Sequence, residues 1–155
     1  MICRGVGSDG RCHYPLGSCD QTVPWFFGMD AYLRGGFGAA ALRERVRAKM
    51  VAVAAALEKT GWRLPCDGAF AQEFRGNLVS DALPFRGATH YLFILRALAD
   101  ATGEAKWRRA YRAARDERYP GPGKNADPYA ETRLEVCAYG YRYDREKSRH
   151  PFQME

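Results

Sequence analysis

The sequence lacks any long apolar run. Its longest uninterrupted apolar stretch, residues 50–57, is half alanine and falls far short of the ~20 residues that a membrane-spanning helix needs. The first residues also lack the apolar core of a secretory signal. We therefore expect no membrane-spanning segment. We also expect that the chain either stays in the cytoplasm or has lost its true N-terminus.

The five cysteines form no C-x-x-C pair. Structural zinc sites usually take their ligands as two closely spaced pairs, and the spacing of Cys3, Cys12, His13 and Cys19 does not fit that pattern. Scattered reduced thiols in a reducing compartment explain these cysteines more simply. We expect no metal.

Motifs of several enzyme classes are also missing. The chain has no G-x-S-x-G, no Walker loop and no H-E-x-x-H. Gly5, Gly7 and Gly10 match a dinucleotide fingerprint by spacing alone, without the strand and helix that this motif requires. We expect no cofactor.

Positive charge is moderate and comes mostly from arginine. The chain carries 24 Lys and Arg against 18 Asp and Glu, a net charge of +6. Its one dense group of cations lies in residues 106–118, where acidic residues interrupt it. Because a phosphate-binding surface concentrates its cations, we interpret this segment as a solvated helix face and expect no nucleic-acid partner.

Hydrophobic periodicity predicts a single all-α domain over residues 1–155. A loop at 1–22 precedes helical hairpins at 23–139, and a polar tail follows at 140–155. Asp20 is the predicted N-cap of the first helix, Pro24 lies in its first turn, and Gly61 ends the second helix. No strand-length run of period two is present. The predicted helices cover 23–34, 39–60, 85–102, 104–118 and 129–139.

Two kinds of helix alternate along the chain. Those at 23–34, 85–102 and 129–139 are apolar around most of their circumference, whereas the others carry one narrow apolar stripe. Short connections follow the apolar helices and long ones precede them, as in a ring of hairpins with inner and outer helices. The pattern predicts a partial α/α toroid. Because the ring is incomplete, uncovered helix flanks predict self-association.

Four segments, 17–29, 62–68, 90–92 and 99–103, resemble repeats of bacterial α/α-toroid (six-hairpin-like) carbohydrate-active proteins, which are similar to unsaturated-glucuronyl hydrolases. The resemblance implies a fragment of a glycoside hydrolase or polysaccharide lyase that acts on an oligosaccharide or polysaccharide. Such sites use carboxylates for proton transfer and aromatic rings for stacking. Candidate residues therefore belong on the long loops and in the first turns of the inner helices.

The first candidates are Asp20 as a catalytic acid, with Gln21 and Trp25 as substrate-binding residues. Helix capping by Asp20 and core packing by Trp25 are the structural alternatives. In the long loop, Asp67 is a second catalytic candidate beside Trp62, although Asp-Gly is also a turn signal.

Glu73 and Arg75 share that loop and could bind a sugar and its carboxylate, or could simply be surface residues. His90, inside an inner helix, is the third catalytic candidate, with packing as its alternative. Arg86 and Arg133 could hold an acidic group, and Tyr139 could stack on a ring, together with Tyr141 and Tyr143.

Two functions from different classes thus follow. The first is a carbohydrate-active segment, hydrolase-like or lyase-like, for a glycan that could be acidic. The second is a non-catalytic helical module that uses the Arg-rich helix 104–118 to bind an acidic partner.

Overall fold

The structure is a computed structural model that describes residues 8–10, 17–70, 73–79, 84–118 and 131–140. Within these ranges the chain is predominantly helical, which confirms the all-α expectation at that level. None of the described helices is long and apolar enough to cross a membrane. The helices are α1 (Cys19–Arg34), α2 (Ala40–Lys59), α3 (Pro84–Thr102), α4 (Ala105–Asp116) and α5 (Arg133–Tyr139), and the strands are β1 (Arg63–Pro65) and β2 (Phe74–Asn77).

The chain divides into two compact units. The first unit comprises Met1–Asn77 together with Asp100–Thr102, and the second comprises Leu78–Ala99 together with Gly103–Glu155. The last turn of α3 therefore belongs to the first unit.

Helix α1 begins at Cys19, earlier than the predicted start at residue 23. Asp20 consequently lies in the first turn and is not the N-cap, and Pro24 lies in the second turn, where it cannot donate to the carbonyl of Asp20. Burial follows one stripe, Cys19, Thr22, Phe26 and Asp30, while Phe27 is 63% exposed. The prediction that this segment is buried on several sides is therefore wrong. Its apolar residues surround the helix, but the core covers only one face.

Helix α2 packs against α1. The predicted stripe is buried in its second half, at Met50 and Leu57, whereas Leu42 near the start is 43% exposed. Gly61 adopts φ +61° after the helix, a conformation that favours glycine. The predicted stop is therefore in place.

A short β-hairpin occupies the predicted loop 62–84. Strands β1 and β2 pair antiparallel, with Arg63 opposite Asn77 and Pro65 opposite Phe74. The amide of Cys66 also donates to the carbonyl of Glu73 at 3.1 Å. Strands of three and four residues are too short to show a period of two, which is why no strand is predicted in this loop.

The second unit is built around α3 and α4. Helix α3 is buried nearly all round, as predicted, and Gly103 at φ +68° separates it from α4. Helix α4 buries Trp107 and Ala114 on one stripe and packs against α5. The buried residues of α3 are Ala88, Leu92, Ile94, Leu95, Ala97, Leu98 and Ala99.

Helix α5 is shorter than the predicted helix at 129–139, of which residues 129 and 130 lie outside the described ranges. It begins with a capping box in which the Thr132 hydroxyl accepts from the Glu135 amide while the Glu135 carboxylate accepts from the Thr132 amide. Val136 and Ala88 form a small core cluster beneath this helix, with Phe85 and Cys137 packed against it.

Candidate functional site

An open groove lies between α1 and α2 on the surface of the first unit. Trp25 and Met29, one turn apart on α1, line one side. The other side comes from α2, and the groove has a volume of about 640 Å³. Its α2 residues are Leu42, Arg45, Val46, Ala48, Lys49 and Ala52.

Trp25 is held in the groove by the core residue next to it. Its ring meets Phe26 edge-to-face, with 5.0 Å between ring centroids and 85° between planes. Phe26 is fully buried, whereas Trp25 is half-buried. Among the described residues, no hydrogen-bond partner is present for the Trp25 indole N–H. The groove therefore contains an aromatic ring with an available donor, fixed by packing.

The cations of α2 fall into two groups. Arg43 donates to the carbonyls of Gly36 and Gly38, both at 3.1 Å, and Arg47 donates to the carbonyl of Ala101 at 2.9 Å. Arg45 and Lys49 are exposed and form no ion pair or hydrogen bond with any part of the chain that the structure describes. Arg45 and Lys49 both line the groove.

Gln21 and Asp20 lie on different faces of α1. Gln21 is one turn before Trp25, on the same face, and its Oε1 accepts a hydrogen bond from the Ser18 hydroxyl. Asp20 is five residues before Trp25, which places it about 140° away around the helix. Asp20 is exposed and forms no side-chain hydrogen bond or ion pair with the described residues. Gln21 and Trp25 therefore lie on the same face of α1, and Asp20 lies on another face.

The hairpin that carries the loop candidates approaches the N-terminal end of α1 at Gly76. A Cβ on Gly76 would lie 2.8 Å from Cys19 Sγ and 2.9 Å from Leu64 Cδ1, so β2 approaches the first turn of α1 closely. Asp67 is exposed in the hairpin, whereas Trp62 is only 8% exposed and adopts φ +63°. A ring buried to this extent has little surface to offer a sugar, so Trp62 acts as a core residue.

Glu73 and Arg75 form an ion pair with an N–O distance of 3.6 Å, and both side chains are about half exposed. The structure thus brings together these two predicted substrate-binding residues. Because the pair is exposed, solvent screens it strongly. Arg75 was predicted to bind a sugar carboxylate, and the Glu73 carboxylate already provides part of its counter-charge.

Arg133 is fully buried in the second unit, although the sequence suggested a substrate-binding residue. Its Nε and Nη2 both donate to Glu117 at 3.3 Å, and its Nη1 donates to the Val79 carbonyl at 2.7 Å. Its guanidinium also lies 5.2 Å from the Tyr91 ring centroid. These contacts give Arg133 a structural role in joining α5 to the segments around it.

The other candidates of the second unit differ in exposure. His90 is half-buried in α3, Arg86 is exposed in the same helix, and Tyr139 in α5 is 37% exposed. Tyr141 and Tyr143 lie outside the described residues.

Two ionisable groups of α5 have displaced pKa values. The pKa of Glu135 lies below its ordinary value because the backbone and hydroxyl of Thr132 donate to its carboxylate. Burial raises the pKa of the Cys137 thiol, although a contact with the Thr89 hydroxyl at 3.6 Å opposes the shift. Neither residue is among those that the sequence analysis predicted to be catalytic or substrate-binding.

Sequence reasoning missed Arg45 and Lys49. Their spacing of four residues places them one turn apart, next to the half of the α2 stripe that remains exposed. The sequence shows both cations, but it does not show that Trp25 lies across the groove from them, because that arrangement depends on how α1 packs against α2. Over the described ranges, no three His, Cys, Asp or Glu residues are grouped to hold a metal; Cys3, Cys12 and His13 lie outside those ranges.

Comparisons with protein-family models, with curated proteins and with solved structures give no match for this chain.

Proposed function

We propose that this chain is a carbohydrate-binding segment of an α/α toroid and that it binds an acidic glycan in the groove between α1 and α2. The observation that carries the proposal is the position of Trp25, which packs on buried Phe26 and lies across the groove from Arg45 and Lys49, two cations without a partner among the described residues. The toroid arrangement is proposed from the resemblance and from the alternation of short and long connections described above, although the one-sided burial of α1 does not fit an inner helix.

The chemistry of the groove suits a sugar. The apolar face of a pyranose ring can pack on an indole, while the indole N–H donates to a hydroxyl group. Gln21, on the same face of α1, adds a side-chain amide close to the Ser18 hydroxyl. Arg45 and Lys49 complement a sugar carboxylate, because charged hydrogen bonds are stronger than neutral ones. The aromatic ring and the Gln21 amide thus suit the pyranose ring and its hydroxyl groups, and the two cations suit its carboxylate.

The proposal covers binding and leaves out a catalytic step. A proton-transfer role for Asp20 requires substrate on the face of α1 that carries Asp20, and Trp25 lies about 140° from that face. Asp67 and His90 remain the other predicted catalytic residues, one in each unit.

Affinity for matched neutral and uronate-containing oligosaccharides tests the proposal. We expect Trp25→Ala to weaken binding of both about tenfold, through loss of the stacked ring. Arg45→Gln with Lys49→Gln should weaken only the acidic ligand. Phe27→Ala is the matched control, because Phe27 is an exposed aromatic residue two positions away on another face of α1.

Sedimentation at several concentrations separates glycan binding from assembly. Equal affinities of wild type, Trp25→Ala and Phe27→Ala would remove the groove from glycan binding. Loss of a dimer in Trp25→Ala, in a chain that binds no glycan, would instead make the groove an interface between copies. Absence of binding to every oligosaccharide tested would overturn the proposed function.

A further inference from the structure

The exposed face of α4 concentrates positive charge that its acidic neighbours do not neutralise. Asp116 forms a two-bond ion pair with Arg115 at 2.6 and 2.8 Å. Glu117 is directed to buried Arg133, away from the arginines of α4. These two acids interrupt the run of cations in the sequence, but each of them is already paired with one specific arginine.

Arg109 and Arg112 are the cations left over on this face. Both are exposed, and neither forms a hydrogen bond or ion pair with residues inside the described ranges. A spacing of three residues makes them neighbours on the helix surface. Arg108, which is also exposed, extends the same face while donating to the Gly103 carbonyl. Trp107 and Ala114 are buried on the opposite side.

The cations in the first turn of α4 already have contacts within the protein. No acidic residue lies in that turn, but Lys106 lies over the Trp107 ring at 4.3 Å and Arg108 donates to the Gly103 carbonyl. Arg109 and Arg112 lie beyond the first turn and have no counter-charge from the described residues. An anion bound across Arg109 and Arg112 would supply that charge.

The composition of the face indicates what kind of anion it binds. Stable protein interfaces bury a core of aromatic or aliphatic side chains. The face around Arg109 and Arg112 offers arginines and the small side chains of Ala105 and Ala113, with no large apolar residue. Recognition that depends on charge alone, through planar guanidinium groups, suits a row of phosphates.

We infer that the Arg108–Arg109–Arg112 face of α4 binds the phosphate backbone of nucleic acid without sequence preference. This inference is independent of the glycan groove, which belongs to the other unit. It replaces the expectation of a merely solvated face, because the structure shows where the interrupting acids are paired. With about three phosphate contacts, affinity falls about 40-fold between 50 and 200 mM salt.

Binding of a fluorescent 20-mer duplex across that salt range tests the inference. Arg109→Gln with Arg112→Gln should reduce the salt dependence to about fourfold over the same interval, as expected for one remaining contact. Lys59→Gln with Arg63→Gln is the matched control, because it removes the same two charges from exposed residues of the first unit. We expect the control to keep the salt dependence of the wild type.

Three outcomes would overturn the inference. In the first, the duplex fails to bind the wild type at 50 mM salt. In the second, the salt dependence of the control variant falls as much as that of the α4 variant, which would make the effect one of net charge. In the third, a poly-glutamate peptide of equal charge binds with the same affinity and salt dependence, which would assign the face to acidic proteins. Circular dichroism of both variants confirms that α4 still folds.

Discussion

Removing the charge of Glu117 should destabilise the second unit more than removing its partner, the Arg133 guanidinium. Arg133 is fully buried, whereas the Glu117 side chain is 53% exposed. The variant Glu117→Gln leaves a buried cation that has lost its carboxylate. Arg133→Met removes the cation itself and fills its space with an apolar side chain of similar length.

The exposure and contacts of the two side chains determine how much stability each variant should lose. Breaking a buried ion pair by removing one partner costs about 3–5 kcal/mol, but solvent reaches Glu117, so about 2 kcal/mol is expected for Glu117→Gln. Arg133→Met loses the hydrogen bond to the Val79 carbonyl, worth about 1 kcal/mol, and also relieves the desolvation of the guanidinium. Its net cost should therefore be about 1 kcal/mol or less.

Urea unfolding followed by circular dichroism measures both variants and the double variant. In the Arg133→Met background, Glu117→Gln should cost almost nothing, because no buried charge remains to be neutralised. Asp116→Asn is the matched control; it removes an adjacent exposed carboxylate and should leave the stability almost unchanged, because solvent screens the exposed pair. An Arg133→Met variant less stable than Glu117→Gln would refute the reasoning, since packing would then outweigh charge.

Three other predictions concern capping, packing and assembly. The Thr132 amide and hydroxyl hold the pKa of Glu135 below its ordinary value, so Thr132→Ala, which removes the hydroxyl, should raise that pKa in an NMR titration. Because the folded-state pKa is depressed, the stabilisation by Glu135 is present above its ordinary pKa and is lost as pH falls through the lowered value. Trp107 is 1% exposed and its indole N–H has no partner among the described residues, so Trp107→Ala should cost roughly 3–5 kcal/mol and Trp107→Phe far less; equal melting temperatures for the two would contradict this. The exposed rings of Phe27 and Phe37 should drive concentration-dependent association that Phe27→Ser with Phe37→Ser reduces in sedimentation.

Local signals predicted the helices well because each helix carries its own pattern. The stripe ending at Leu57, the glycine stop at Gly61 and the continuous burial of α3 all follow from spacing within one segment. The boundaries near α1 were less accurate. Asp20 resembles an N-cap by type, but the helix starts one residue before it.

Burial of α1 could not be predicted in the same way, because it depends on what covers each face. Trp25 and Phe27 are equally apolar in the sequence, yet Trp25 lines a groove with α2 while Phe27 is largely exposed. Similarly, Trp62 and Arg133 have the right chemistry for a sugar site, but both are buried. Residue type identified the candidates, and only the tertiary contacts distinguished packing residues from surface ones.

Charge in the segment 104–118 shows most clearly why sequence proximity misleads. Counting acids and bases along the chain suggests that Glu117 balances its nearest arginines. In the structure the chain leaves the helix after Asp116, and the Glu117 carboxylate meets Arg133, sixteen residues away. That pairing satisfies a buried cation, and Arg109 and Arg112 stay without a counter-charge from the described residues. The exposed charge of α4 is thus a consequence of how the core of the second unit is neutralised, since a carboxylate committed to one cation is unavailable to another.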